Sequence, residues 1–311
     1  MSAANGADRP LRVVQVSDTH LSETHAYFID NFDVFVDEMQ ALQPDLIVHT
    51  GDISFNGPLR PADLGFAKAQ LDRLPAPVLT LAGNHDIGEA PPFSRLDQPI
   101  DTARMAAWTT AVGPMWWSHD LGSWRLIGLD SAVMASGLAE EATQLAFLRT
   151  QLASRGTRQA MVFMHMPPFE TDPKDERPTT SCVPHPARRA LLKTCRDAGV
   201  KVIACGHLHV YRRIRYQGMG IVWAPPTAMV HFERQWRKWR RWSRPGYLVW
   251  TLDGGRIRHE LVEPRMMIAQ DTSRWTEIGG TTTNMPPRPL RRHLAAAGMT
   301  SEEIASDSAS H

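Results

Sequence analysis

Five times in this chain an apolar run leads straight into a turn that carries metal-ligand side chains. The series is Asp18 and His20 in Ser17-Asp18-Thr19-His20, Asp52 after Gly51, Asn84 in Gly83-Asn84-His85-Asp86, His165 before Met166-Pro167-Pro168, and His207 and His209 in Gly206-His207-Leu208-His209. Turns that follow parallel strands gather at one sheet edge, where open α/β folds place their ligands. In an extended segment residues i and i+2 point the same way, so Asp18 can act with His20 and His207 with His209. Glycines at 51, 83 and 206 allow tight turns and close backbone approach. Any one of these residues alone reads as a surface or satisfied core residue. All of them in order, each after a strand-like run, read as one metal site. Oxygen and imidazole donors without thiolate suit manganese, iron or zinc.

The rest of the chain supports an α/β frame. Residues 11–16 read as a buried strand, and Phe28, Phe32, Phe35 and Met39 form one helical stripe within 28–42. Residues 45–50 read as a second strand. Pro61 opens a helix through Leu74, since proline is tolerated in a first turn. Residues 77–82 read as a third strand. This alternation implies βαβ units and a largely parallel first sheet. Further strands are expected at 124–130, 159–164, 200–205, 220–224, 247–252 and 257–262, with a hairpin at Gly254-Gly255. Helices are expected at 139–154 and 187–198. The proline-rich stretches 88–100 and 166–186 read as loops.

Composition excludes several classes. With 42% hydrophobic residues the chain can bury a core, and a formal net charge of +1 points to neither nucleic acid nor an acidic partner. No secretory h-region or membrane-length apolar run is visible. Three cysteines without C-x-x-C spacing argue for a reducing compartment, so a cytoplasmic location is expected.

The ordered series resembles the calcineurin-like metallophosphoesterase superfamily, whose pattern is D-x-H, G-D, G-N-H-D/E, H, G-H-x-H. The resemblance covers roughly residues 11–265. Its opening and compact spacing are similar to class III cyclic-nucleotide phosphodiesterases and the related glycerophosphodiesterases. It implies a four-layer α/β/β/α sandwich of two mixed β-sheets. It also implies two transition-metal ions, manganese, iron or zinc. Asp18, His20 and His209 would hold the first and Asn84, His165 and His207 the second, with Asp52 bridging both. A metal-bridging hydroxide would attack phosphorus, while His85 protonates the leaving alkoxide or stabilises the transition state. Adjacency suggests that Asp86 orients His85. Many relatives carry His-His-Pro-Pro where this chain has His165-Met166-Pro167-Pro168, a departure that leaves the ligand and bears on the pocket edge.

Other residues read differently. His49 is expected in a supporting or core role, His25 on the surface, and Cys205 packed at a strand end. Residues 231–246 form a basic, tryptophan-rich insertion, with Trp236, Trp239 and Trp242 recurring every three residues between arginines and Lys238. The tryptophans suit packing on the body or on a second subunit; an anionic surface is the other reading. Residues 1–10 read as an N-terminal extension. Residues 266–311 read as a C-terminal arm or tail, with a helix capped by Thr300 and Glu303. The expected function is hydrolysis of a small phosphodiester, a 3′,5′-cyclic nucleotide first. The alternatives are a phospholipid- or nucleic-acid-directed phosphoesterase and a non-catalytic scaffold of the same fold.

Overall fold

The computed structural model describes residues 9–90, 98–177, 179–240 and 242–272, with 233–236 described by backbone alone. Most of the stretch 88–100 and the helix expected around Thr300 and Glu303 lie outside these residues.

The chain begins β1 (Leu11–Val16), α1 (Ile29–Leu42), β2 (Leu46–His49), α2 (Pro61–Leu71), β3 (Val78–Thr80), α3 (Asn84–Ile87) and α4 (Thr102–Ala111). It continues β4 (Trp117–Leu121), β5 (Trp124–Gly128), α5 (Ala139–Ala153), β6 (Gln159–Phe163), α6 (His185–Asp197) and β7 (Val202–Cys205). It closes with β8 (Arg212–Tyr216), β9 (Met219–Trp223), β10 (Met229–Val230), α7 (Phe232–Trp239), β11 (Tyr247–Asp253), β12 (Arg256–Val262) and β13 (Gln270–Asp271).

Two mixed sheets face each other, as expected. The first runs β12-β11-β1-β2-β3 and the second β4-β5-β6-β7-β9-β8. Strands β1, β2 and β3 are parallel, and β11 joins β1 antiparallel. In the second sheet β5, β6, β7 and β9 are parallel, with antiparallel β4 and β8 at the edges.

The two-residue side-chain period sorts the apolar residues into layers. Val13 and Val48 of the first sheet meet Leu126, Phe163 and Ala204 of the second in the central core. Val14, Val16 and Ile47 face the other way, onto Phe32, Phe35 and Met39 of α1 and Leu71 of α2. Ile127, Val162 and Ile203 face Leu148 of α5 and Leu191 of α6. Each such side chain contributes about 1.5–3 kcal/mol when fully buried. Gln15 is the polar exception between the sheets. Its amide donates to Thr50 Oγ1 and to the Cys205 carbonyl, each at 3.2 Å, and accepts from Trp250 Nε1 at 3.1 Å. It thereby ties both sheets together beneath the ligand-bearing turns.

Several elements depart from expectation. Phe28 is buried but stands before α1, packed with Phe55 and Met229 in a separate cluster. Helix α2 stops at Leu71, short of Leu74. Strands β4 and β8 and helix α4 were not foreseen. The two strands are sheet edges with a polar face, Arg212–Tyr216 holding three arginines, so the apolar signal is thin. Helix α4 buries only Met105 and Trp108, although Asp101 caps it through the Arg104 N–H at 2.8 Å.

The basic insertion forms α7. Trp239 packs partly buried against the second outer core, while Trp242 is 63% exposed and stacks on Phe232 with ring centroids 5.4 Å apart. The Trp236 side chain lies outside the described residues. Residues 266–272, at the start of the expected C-terminal arm, lie on the body. There Met267 is buried, Asn31 Nδ2 donates to the Ile268 carbonyl at 3.0 Å, and β13 pairs with β10. All three cysteines are free and buried. Among the described residues no helix is long and apolar enough to cross a membrane.

Candidate metal centre

Every expected ligand emerges at the C-terminal end of a parallel strand or in the turn beyond it. Asp18 and His20 follow β1, Asp52 follows β2, Asn84 follows β3, His165 follows β6, and His207 and His209 follow β7. The backbones of these turns are zipped together. Asp18 N–H donates to the Gly51 carbonyl, His20 N–H to the Asp52 carbonyl and Ala228 N–H to the Asp18 carbonyl, each at 3.0 Å.

The turns are not extended, and this corrects the reason given for the shared facing of the pairs. Asp18, His20, Asp52, His207 and His209 all have φ between 45° and 70°. In that left-handed conformation alternate residues converge on one point, at a cost of about 1–2 kcal/mol each. Gly51 adopts φ of 97°, and a Cβ there would sit 2.6 Å from His165 Nδ1. A Cβ on Gly83 would sit 2.1 Å from Asp52 Oδ1. Close approach is therefore the reason for glycine at 83.

The donors form two groups that share Asp52. One is Asp18, His20, Asp52 and His209; the other is Asp52, His165 and His207. Asn84 joins the second, its Oδ1 lying 3.2 Å from His165 Nε2. Asp52 divides its oxygens. Oδ1 accepts the His85 N–H at 2.8 Å, while Oδ2 lies 3.3 Å from His165 Nε2 and 3.7 Å from His20 Nε2.

Outer partners set which ring nitrogen faces inward. His165 Nδ1 donates to the Thr50 carbonyl at 2.8 Å, His209 Nδ1 to the Met229 carbonyl at 2.9 Å, and His207 Nε2 to the Thr180 carbonyl at 2.8 Å. The inward nitrogens are left as acceptors. His207 Nδ1 and His165 Nε2 are 3.1 Å apart, and His20 Nε2 and His209 Nε2 are 3.4 Å apart. Acceptors aimed at acceptors in a buried site repel unless a cation or proton lies between them. Asp18 Oδ1 is buried without a hydrogen-bond donor. The residues present therefore fit two cations with oxygen and imidazole ligands.

The electrostatics agree. Burial opposes charge on His165, but Asp52 outweighs it and raises the ring to about 9. Burial, with His165 beside it, holds His207 down to about 3. Burial and His85 push His20 well below its usual value. His20 and His207 thus rest in the neutral form that binds a metal.

His85 is half-buried, with its ring 4.6 Å from that of His20. Its Nδ1 donates to the Phe55 carbonyl at 2.9 Å. Asp86 does not orient it, contrary to expectation. The Asp86 carboxylate turns inward and accepts N–H bonds from Ser54 and Gly83, each at 2.8 Å, and from Ile53 at 3.2 Å. A buried carboxylate must find donors, and the loop that carries Asp52 supplies two backbone N–H groups while the turn that carries Asn84 supplies the third.

Other neighbours sort as follows. His49 Nδ1 accepts the Gly51 N–H at 3.2 Å and its Nε2 donates to Thr19 Oγ1 at 3.0 Å, so it braces the first two turns. His25 is not a surface residue. It is 4% exposed, stacks on Phe55 and accepts from Arg60 at 2.9 Å; burial and Arg60 push it down to about 3. Met166 points into the second outer core, so it leaves the pocket edge untouched. Sequence reasoning missed His231, whose ring lies 5.0 Å from that of His209. It belongs to no spaced motif; the bonds of Ala228 to Asp18 and of Met229 to His209, with the pairing of β10 to β13, bring it there.

Comparison with known proteins agrees with this geometry. The chain is 30% identical to the glycerophosphodiester phosphodiesterase GpdQ of Enterobacter lignolyticus, over 69% of this chain and 77% of that protein. It is 26% identical to the 3′,5′-cyclic adenosine monophosphate phosphodiesterase CpdA of Escherichia coli K12, over 70% and 77%. A dimetal phosphatase from Danio rerio shares the fold, with a TM-score of 0.57 at 14% identity over 82% of this chain and 98% of that one. Residues 11–211 match the calcineurin-like phosphoesterase family, and the chain belongs to it, as a metal-dependent phosphoric ester hydrolase.

Proposed function

We propose that the protein is a binuclear metal-dependent phosphodiesterase that hydrolyses a small phosphodiester, with a 3′,5′-cyclic nucleotide as the preferred substrate. The observation that carries this reading is Asp52 Oδ2, which faces His20 of one donor group and His165 of the other. Asp18, His20 and His209 would hold one ion, Asn84, His165 and His207 the second, and Asp52 both. The pair is manganese, iron or zinc, by the chemistry of the donors. Bound there, the cations would supply Lewis-acid charge for phosphoryl oxygens and acidify water.

The chain supplies the rest. His85 anchors Nδ1–H on the Phe55 carbonyl and so leaves Nε2 for the departing oxygen. From Nε2 a proton can pass to the alkoxide. Asp52 Oδ1 holds the His85 backbone N–H, which couples the bridging carboxylate to the acid.

Diester chemistry is favoured by the two named relatives, GpdQ and CpdA. A glycerophosphodiester is the second reading, supported by 30% identity to GpdQ. A substrate panel on manganese-loaded protein tests both. Cyclic AMP should be cleaved faster than glycerophosphocholine, bis-p-nitrophenyl phosphate and a simple monoester. Faster turnover of glycerophosphocholine would select the second reading. A loaded protein that cleaves none of the diesters would remove both.

A further inference from the structure

Between the segment that follows His165 and the start of α6 lies a second cavity, of about 270 Å³. None of the metal-facing side chains lines it. Its most demanding wall is Arg188, which is 2% exposed. A guanidinium stays charged in any protein setting. This one donates to the carbonyl oxygens of Asp175 at 2.6 Å and Asp172 at 3.5 Å, and its Nε has no partner. Among the described residues it makes no ion pair.

The neighbouring charges compensate it only in part, since Asp175, which Arg188 helps to hold ionised, is shared with Arg177. Lys238 pairs with Glu170 and Arg177 pairs with Asp175 at 2.6 Å, so those four answer one another. The remaining carboxylate, Asp172, is exposed, and its Oδ1 accepts the Lys174 N–H at 2.8 Å. Arg188 also stands near the N-terminus of α6, whose first turn carries no acidic residue. There the helix dipole disfavours a cation. A buried charge that must share its counter-charge is unfavourable, and a guanidinium cannot escape by losing its proton. Its planar fork of N–H donors matches the oxygens of a phosphate-type anion.

We propose that this cavity binds a small tetrahedral oxyanion of the phosphate class, with Arg188 as its principal contact. Thr179 lines the same cavity, and the carbonyl of the next residue, Thr180, accepts the His207 Nε2–H. The anion site and the metal-facing ring therefore share one strut. Inorganic phosphate and a phosphate monoester present the same oxygens to Arg188.

Calorimetric titration of the full chain carrying Asp52→Ala separates this site from the metal centre. With inorganic phosphate and with glycerol 3-phosphate as separate probes, at least one should bind once per chain. Adding Arg188→Met should weaken that binding about tenfold or more, the scale of a charged hydrogen bond. Binding of phosphate alone assigns the cavity to the free ion; binding of the ester alone assigns it to a phosphorylated metabolite. If Arg188→Met does not fold, Arg188→Lys keeps the charge, loses the fork and should still weaken binding. A second measurement uses the manganese-loaded wild type, which should take up one more anion per chain than its Arg188 variant. No binding of either probe to Asp52→Ala, or unchanged affinity in the Arg188 variants, overturns the proposal. The Asp52→Ala result does not depend on any reaction, so failure of the hydrolytic reading would leave it standing.

Discussion

Asp52 has two tasks and gives each its own oxygen: Oδ2 faces both donor groups, and Oδ1 holds the backbone of His85. Asp52→Ala should therefore lose bound metal and hydrolysis together, measured by elemental analysis and by rate on the same preparation. His85→Ala should keep its metal yet turn over about 10²–10⁴-fold more slowly, most of all with poor leaving groups. Metal loss in that variant would place His85 among the ligands. His165 makes the site sensitive to pH. In the metal-free chain Asp52 overcomes burial and holds the ring charged up to about 9. Below that pH a metal must displace the proton, so affinity should rise with pH and level off above 9. The sign for stability is the reverse. The raised ring supports the metal-free fold fully below the ordinary histidine value, and that support fades as pH climbs through 9. A competition titration with a chelator across pH 6.5–10 checks the first statement. Affinity that is flat over this range would contradict it.

At the scale of elements, the turns rather than the strands store the strain. Five ligand residues sit in the left-handed region, which non-glycine residues seldom occupy without compensation. Asp86 supplies part of the compensation by gathering the N–H groups of Ile53, Ser54 and Gly83. Asp86→Ala should loosen the Asp52 turn and lower metal affinity about 10–100-fold, as loss of outer partners does elsewhere. Unaltered affinity would mean that the turn is held by its backbone bonds alone. A second carboxyl shows the opposite economy. Asp130, just past β5, is fully buried; its Oδ1 accepts the Ala132 N–H at 2.7 Å while Oδ2 has no partner, and burial pushes it up to about 7. The folded protein then resists its ionisation, so this carboxyl's contribution fades as pH rises from about 4 through 7. Asp130→Asn should raise the melting temperature at pH 8 and change it little near pH 4. The scale is about 2–4 °C for each kcal/mol in a chain of this size.

Across the whole molecule, the site depends on two facing sheets whose ligand-bearing strand ends gather on the same side. The first sheet brings Asp18, His20, Asp52 and Asn84, and the second brings His165, His207 and His209. The segment 266–272 belongs to this assembly through Met267 and the Asn31 bonds to Ile268. A chain cut after residue 265 should melt several degrees lower than one cut after residue 272. Burial of one methionine side chain accounts for about 1.5–3 kcal/mol of that. Equal melting temperatures would mean that residues 266–272 add nothing to the fold.

The parallel strands and their ligands were legible in the sequence because buried strands are continuous apolar runs and their turns carry unlike chemistry. Edge strands such as Arg212–Tyr216 were not, since a solvated face dilutes the pattern. The role of Asp86 was misread because adjacency to His85 says nothing of which way a buried carboxylate turns. Order and spacing along the chain thus determined which residues gather at the candidate centre, since a donor placed soon after a strand goes to that strand's end. Only the tertiary structure decided which oxygen of Asp52 faces the donors, which carbonyl holds each imidazole, and that Arg188 is buried with its Nε unpartnered. Those outcomes are set by contacts between residues far apart in the chain, and no local period records them.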